Sequence, residues 1–317
     1  MAVYTELSKA NINKILENYN LGRLKNYKGI TEGIENTNYY LLTDKKKFII
    51  TIFEKRVDLS QIPFFFEIMH NSKSAGIECP VPIKNKQGNY VSVIKNKKMA
   101  VFLFLEGSSK KNWSENNCFQ VGQKLANFHF ANKNNKLFSK NNFSIKFWQE
   151  TFIKNNDKIN QIIPNALNII KEEINFVSSN WPDELPQGII HADLFPDNVF
   201  FQGDSISGFL DFYFSCNDFL SYDLAITVNA WCFKDMKFNK NFYSSLISGY
   251  QSIRKLEELE KEKFNIFLRG ASLRFFFTRL HDCINGDVNQ YLHKKDPNEF
   301  YKILNFHINT DKGFYFD

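Results

Sequence analysis

The stretch from Gly188 to Phe201 reads Gly-Ile-Ile-His-Ala-Asp-Leu-Phe-Pro-Asp-Asn-Val-Phe-Phe, and no other segment limits the possible folds as much. A β-prone run leads in, and His191, Asp193, Asp197 and Asn198 crowd into the loop that follows. A second β-prone run leads out, and a third, Ser207 to Asp211, ends on another acid. Polar groups set this densely among apolar neighbours need a large surrounding core to hold them. The chain can supply one. It has 317 residues, 43% of them apolar and 23% charged, which excludes a disordered, collagen-like or coiled-coil protein. Its aromatic content is dominated by 34 Phe. Mean hydropathy is −0.37. The longest uncharged apolar run, Met99 to Leu105, falls far short of the roughly 20 residues that cross a bilayer, so a membrane partner is not expected.

The first residues mix Glu6, Lys9, Lys14 and Glu17 with apolar positions and lack the apolar core of a secretory signal, so a cytoplasmic location is expected. Five scattered cysteines show no metal or redox spacing. A net charge of +6 without a basic stripe suits a small anion better than nucleic acid.

Periodicity divides the chain in two. Ile12, Ile15, Leu16 and Tyr19 mark a helix behind Ser8, and Tyr39 to Thr43 with Phe48 to Phe53 mark a hairpin. Ile62, Phe65, Phe66 and Met69 mark a second helix, capped by Ser60 and stopped by Gly76, and Tyr90 to Ile94 with Met99 to Leu105 form a second hairpin. Beyond Gly107 the periods are helical, around 119–128, 145–157, 165–179, 223–231, 241–250 and 264–282, with short strands only near the polar loop. Asn132 to Asn142 is expected to be a solvated loop. The fold class is therefore α+β, with an antiparallel-sheet lobe over residues 1–106 and a mostly helical lobe over residues 107–317.

The polar loop spells H-x-D-x-x-x-x-N, followed by an Asp on the next strand, the layout of a protein-kinase-like catalytic loop and metal-binding Asp. A carboxylate at Asp193 can accept or orient the proton of an attacking hydroxyl. An amide oxygen at Asn198 and a carboxylate at Asp211 can hold Mg²⁺ against the phosphates of ATP. The bland alternative is a β-hairpin with Asx turns, because Asp and Asn readily bond their own backbone. His191 reads as a structural residue of the loop and Asp197 as a loop cap.

These residues resemble the aminoglycoside phosphotransferase and choline kinase-like small-molecule kinases, which share the protein kinase two-lobed fold. Gly33 to Tyr39, His191 to Phe201, Leu210 to Phe214 with Cys216-Asn217-Asp218, Tyr222 to Ala225, Asn229 to Phe233 and Leu268 to Ala271 are similar to the homoserine kinase branch. The resemblance runs from about Gly29 to about Asp282. It implies ATP-dependent phosphorylation of L-homoserine in threonine biosynthesis with Mg²⁺. It further implies Asp193 as base, Asn198 and Asp211 as metal ligands, and Asp223 as a structural acid opening a helix. The residues 1–106 would then bind nucleotide, and residues 107–317 would carry the catalytic loop and acceptor site.

Gly29 and Gly33 precede a strand, where backbone can fold over ATP phosphates, and Asn36 and Asn38 can add amide donors; an ordinary turn is the alternative. Phe102 to Gly107 falls where kinases join their lobes and bond adenine through the backbone. One departure stands out: Thr51 occupies the position at which the superfamily commonly carries a phosphate-contacting Lys. Lys55 lies roughly 13 Å further along an extended strand, so Glu67 on the next helix loses its usual partner.

An amino-acid acceptor needs a cation for its carboxylate and an acid or carbonyl for its ammonium group. Arg269, Arg274 and Arg279 are candidates, but spacing five turns them about 140° apart on a helix, so they cannot share one pocket. Arg274 is the substrate-ligand candidate, with an ion pair to an acid such as Asp282 as its structural alternative. Tyr213 is a second substrate candidate, and Asn229 and Trp231 are weaker ones. Rival functions are a kinase for choline, a sugar or an aminoglycoside, and a catalytically silent nucleotide-binding module suggested by Thr51.

Overall fold

The computed structural model describes residues 3–31, 36–54, 58–285 and 295–316. The chain divides into two compact units: residues 1–108 with 200–202 and 207–213, and residues 109–199 with 203–206 and 214–317.

The first unit opens with α1 (Lys9–Tyr19), which Ser8 caps reciprocally with Asn11. Strands β1 (Leu24–Ile30), β2 (Thr37–Thr43) and β3 (Lys47–Ile52) follow, then α2 (Ile62–Ser74), β4 (Pro82–Ile83), β5 (Val91–Ile94) and β6 (Lys97–Leu103). They form one antiparallel sheet in the order β1-β2-β3-β6-β4, with β5 also on β6. The apolar stripe Ile12, Ile15, Leu16 and Tyr19 packs on Leu41, Ile50, Ile52, Met99 and Val101 from the sheet. Lys95 and Asn96 both adopt left-handed φ, of 47° and 61°, which matches a two-residue turn to the twist of β5 and β6. Gly76 stops α2 at φ 77°, as expected, but Gln61 rather than Ser60 caps it. Ser60 instead bonds the Asp58 carboxylate through its backbone N–H and hydroxyl.

The second unit is mainly helical. Its elements are α3 (Glu115–Ala131), α4 (Ile145–Ile162), α5 (Ala166–Asn180), β7 (Gln187–Ile190) and β10 (Cys216–Phe219), while the intervening hairpin β8 (Val199–Gln202) and β9 (Ser205–Phe209) has residues 200–202 and 207–209 in the first unit. Then come α6 (Leu220–Trp231), the short hairpin β11 (Phe233–Lys234) and β12 (Lys237–Phe238), α7 (Lys240–Gln251), α8 (Glu258–Asn285) and α9 (Pro297–Ile308). Strand β10 pairs antiparallel with β7, and α6 is buried along nearly its whole length. Helices α3 and α7 touch backbone to backbone. A Cβ at Gly122 would meet Leu246 O at 2.0 Å, and one at Gly249 would meet Phe119 O at 2.0 Å, so both positions require glycine.

One expectation needs correction. Residues 132–142 are not a wholly solvated loop: Asn132, Ser139 and Asn141 are buried. Ser139 and Asn217 exchange bonds, Ser139 N–H donating to the Asn217 amide oxygen and Asn217 N–H to Ser139 O. Polar composition hides this because the burial is achieved by hydrogen bonds rather than by apolar contact.

Candidate active site

The polar loop leaves β7 at His191 and is held by one acid. The Asp223 carboxylate, near the start of α6 and fully buried, accepts from His191 N–H at 2.7 Å and Ala192 N–H at 2.8 Å. His129 on α3 donates its Nε2–H to the same carboxylate at 3.0 Å, and its other ring nitrogen bonds the Tyr250 hydroxyl of α7 at 2.8 Å. Burial alone would raise the Asp223 pKa. The His129 bond and charge, with the His191 groups, outweigh it and hold the carboxyl below its ordinary value. The two loop N–H bonds lock Ala192 at φ 64°, a left-handed conformation that costs an L-residue about 1–2 kcal/mol. The close contact of α3 and α7 thus brings His129 and Tyr250 together, and the pair buttresses the acid that shapes the loop.

Asp193 follows directly and is half-buried. Its N–H donates to His191 Nδ1 at 3.3 Å, which makes His191 a loop staple, as expected. Asn198 closes the loop by donating its amide NH₂ to Asp193 O at 2.8 Å and to Asp193 Oδ2 at 2.9 Å. The structure therefore joins the proposed base and the proposed amide ligand. Since the NH₂ end of Asn198 is committed to Asp193, its oxygen is the end left for a cation. Trp231 donates its ring N–H to Leu194 O at 2.8 Å, so it supports the loop rather than a substrate. Asn229 donates to Leu268 O and Ser272 Oγ and bonds His307, a core role.

Asp211 lies in the first unit, beyond β9, at φ 56°. Tyr213 packs edge-on against Phe53 and Phe65, with centroids 6.1 and 5.5 Å apart, which gives its ring a packing role. Gly29 is a paired residue of β1, opposite Tyr39 and packed on Val3, so it belongs to a strand rather than to a phosphate-cradling loop. Gly33 and Lys55 lie outside the described residues. Asn36 accepts from Glu54 N–H at 3.2 Å, and Asn38 accepts from the Thr51 hydroxyl at 2.8 Å. Both amides staple β2 to the β3 side of the sheet through their oxygens, and Thr51 is a polar cross-strand partner in the place expected for a lysine. Glu67, half-buried on α2, has no ion pair to a described residue.

The three arginines of α8 separate clearly. Arg269 is bidentate to Glu173 at 2.7 and 2.5 Å, and Arg279 bonds Glu299 at 2.5 Å and Asp296 O at 3.0 Å. Arg274 is 2% exposed, with its guanidinium over Phe143 and Phe275. Its Nε and Nη1 have no hydrogen-bond partner. The ion pair with Asp282 that would have explained it is not made; Asp282 is exposed beside His281. The residues missed by sequence reasoning are His129 and Tyr250, lone polar groups on helices with no local motif around them.

Among the described residues no helix is long and apolar enough to cross a membrane, and no cluster of three or more His, Cys, Asp or Glu gathers to hold a metal.

Residues 26–258 match the family model described as the phosphotransferase enzyme family. The chain is 39% identical to homoserine kinase of Brucella anthropi over 97% of its own length and 94% of that protein. It is 40% identical to homoserine kinase of Agrobacterium fabrum, over 97% and 96%. Among solved structures, a spectinomycin phosphotransferase in complex with ADP and spectinomycin has a TM-score of 0.74 at 13% identity, covering 97% of this chain and 100% of that one. A choline kinase from Cryptosporidium parvum has a TM-score of 0.60 at 14% identity, over 89% and 88%. The kinase-like fold inferred from the polar loop is thus the fold observed, and the chain belongs to the phosphotransferase enzyme family, in its homoserine kinase branch.

Proposed function

We infer that the chain transfers the γ-phosphoryl group of ATP to the hydroxyl of L-homoserine, forming O-phospho-L-homoserine, a step of threonine biosynthesis. The observation that carries the chemistry is the closed Asp193–Asn198 loop, strapped by Asp223, in a chain 39% identical overall to a homoserine kinase. Asp193, oriented by the Asn198 amide at Oδ2, positions the acceptor hydroxyl for in-line attack and takes its proton.

The donor chemistry fits Mg²⁺. An amide oxygen at Asn198 and a carboxylate at Asp211 are hard ligands. When bound, Mg²⁺ neutralises charge on the phosphoryl oxygens. The first unit supplies nucleotide contacts without a lysine at Thr51. Arg274 binds the acceptor carboxylate: a buried guanidinium with unpaired N–H groups is strongly disfavoured unless a ligand completes it.

An ADP-release assay with L-homoserine, choline, a sugar and an aminoglycoside tests this reading. Turnover of homoserine well above the others is expected. Equal turnover across the panel overturns the acceptor assignment.

A further inference from the structure

We propose that Asp218, positioned by Asn141, binds the α-ammonium group of the acceptor opposite Arg274, so that the site reads both poles of an amino acid. This rests on the homoserine reading above and names the residue that selects against acceptors lacking an amine.

Strand β10 carries Asp218 two residues beyond Cys216, and Arg274 lies on α8. Asp218 is half-buried and remains reachable. It accepts from Asn141 Nδ2–H at 2.7 Å through Oδ2 and from Phe219 N–H at 2.8 Å through Oδ1. An ionised carboxylate offers about four acceptor directions, so roughly two are left. Asn141 belongs to the segment fastened to β10 by Ser139 and Asn217, and that fastening fixes the Asp218 rotamer.

The positive partner is independent of this arrangement. Arg274 exerts its charge on Asp218, Tyr222 and Cys216 yet forms an ion pair with none of them, and its Nε and Nη1 are orphaned. Ser215 Oγ and Ser221 Oγ, on either side of β10, are also buried without partners. Unsatisfied buried donors are rare in a native interior, and the two on the Arg274 guanidinium call for a ligand. A carboxylate and a guanidinium that sense each other without touching can be bridged by a zwitterion, its carboxylate on Arg274 and its ammonium on Asp218. Burial, the largest influence, holds the Asp218 carboxyl above its ordinary value despite its hydrogen bonds and Arg274. An arriving ammonium would stabilise the ionised form.

The test compares L-homoserine with 4-hydroxybutanoate, which keeps the carboxylate and hydroxyl but lacks the amine. Asp218→Asn is expected to lower kcat/KM for homoserine by about 10- to 100-fold, mainly through KM, the scale of a lost charge-assisted hydrogen bond. It should leave 4-hydroxybutanoate within about threefold. Asn141→Ala should shift the same ratio in the same direction by less, and it decides the matter if Asp218→Asn fails to fold. Parallel loss on both acceptors, or an unchanged ratio, overturns the assignment and leaves Asp218 a structural acid. Wild-type protein inactive on homoserine would instead overturn the functional reading itself.

Discussion

Replacing Asp223 by Asn tests the support of the catalytic loop with almost no change in volume. The carboxylate serves three donors from which water is excluded: His191 N–H and His129 Nε2–H on one oxygen, and Ala192 N–H on the other. An amide placed to keep the first two bonds turns its NH₂ toward Ala192 N–H. One bond is then lost, a buried donor is orphaned, and the two retained bonds lose their charge. An orphaned buried donor costs about 1–3 kcal/mol, and reducing two charge-assisted bonds to neutral ones costs about 0.5–1 kcal/mol each. The sum is about 2–5 kcal/mol. At about 2–4 °C per kcal/mol for a domain of this size, Tm should fall by about 4–20 °C. Ala192, no longer held at φ 64°, can relax out of the left-handed region and rotate the peptide that leads into Asp193. Scanning calorimetry gives the first quantity. A steady-state ADP-release assay below the new Tm gives the second, with kcat expected to fall by at least 10²-fold and the KM for ATP little changed. A folded variant with Tm within 2 °C and kcat within threefold of wild type would refute the strapping argument.

Asp193→Asn should lower kcat by about 10²–10⁴ with little change in the KM for ATP, and near-normal kcat in a folded variant would remove it as the base. Chelation of divalent metal should abolish turnover, with Asp211→Ala more damaging than Asn198→Ala because it also removes a charge; full activity in chelator would rule out the metal reading. Gly249→Ala forces a methyl group onto Phe119 O and should cost at least about 1–3 kcal/mol, read as a lower denaturation midpoint, with kcat falling as His129 and Tyr250 separate. His307 is fully buried, bonded to Tyr315 and Asn229, and burial lowers its pKa to about 3. Its stabilising contribution is therefore complete above the unfolded value near 6.5 and is lost as pH falls toward 3, at up to about 1.4 kcal/mol per pH unit. Thermal unfolding of His307→Gln should show a flatter acid slope between pH 6.5 and 4.5, and an unchanged slope would contradict the assignment.

Most elements of the fold could be read from periodicity, and the failures have physical causes. Strand β1 escaped because it is a sheet edge, where Lys25 and Lys28 replace an alternating apolar face. Helix α9 escaped although Asp296 and Pro297 signal its start, since its apolar face only makes sense against α8. Ser60 was a plausible cap by type, but the nearer Asp58 carboxylate captured its donors. Asn141 sat in a stretch whose composition reads as solvent-exposed. Its burial depends on Asp218 and Asn217, residues more than 70 positions away.

The site divides along the same line. The pairing of Asp193 with Asn198 was legible because both residues sit within one loop and meet at short range. Arg274 could not be told from Arg269 and Arg279 by spacing, because what separates them is supplied by other helices. Glu173 from α5 completes one and Glu299 from α9 completes another, whereas no acid completes the third. A buried cation is costly to leave unpaired, so the fold explains the two satisfied arginines, and the third is the one we propose a ligand completes. The proposed chemistry is therefore written locally, in the loop that the Asp193–Asn198 bond closes. In the reading proposed above, the choice of acceptor depends on the Arg274 charge, which the surrounding helices leave without an acid.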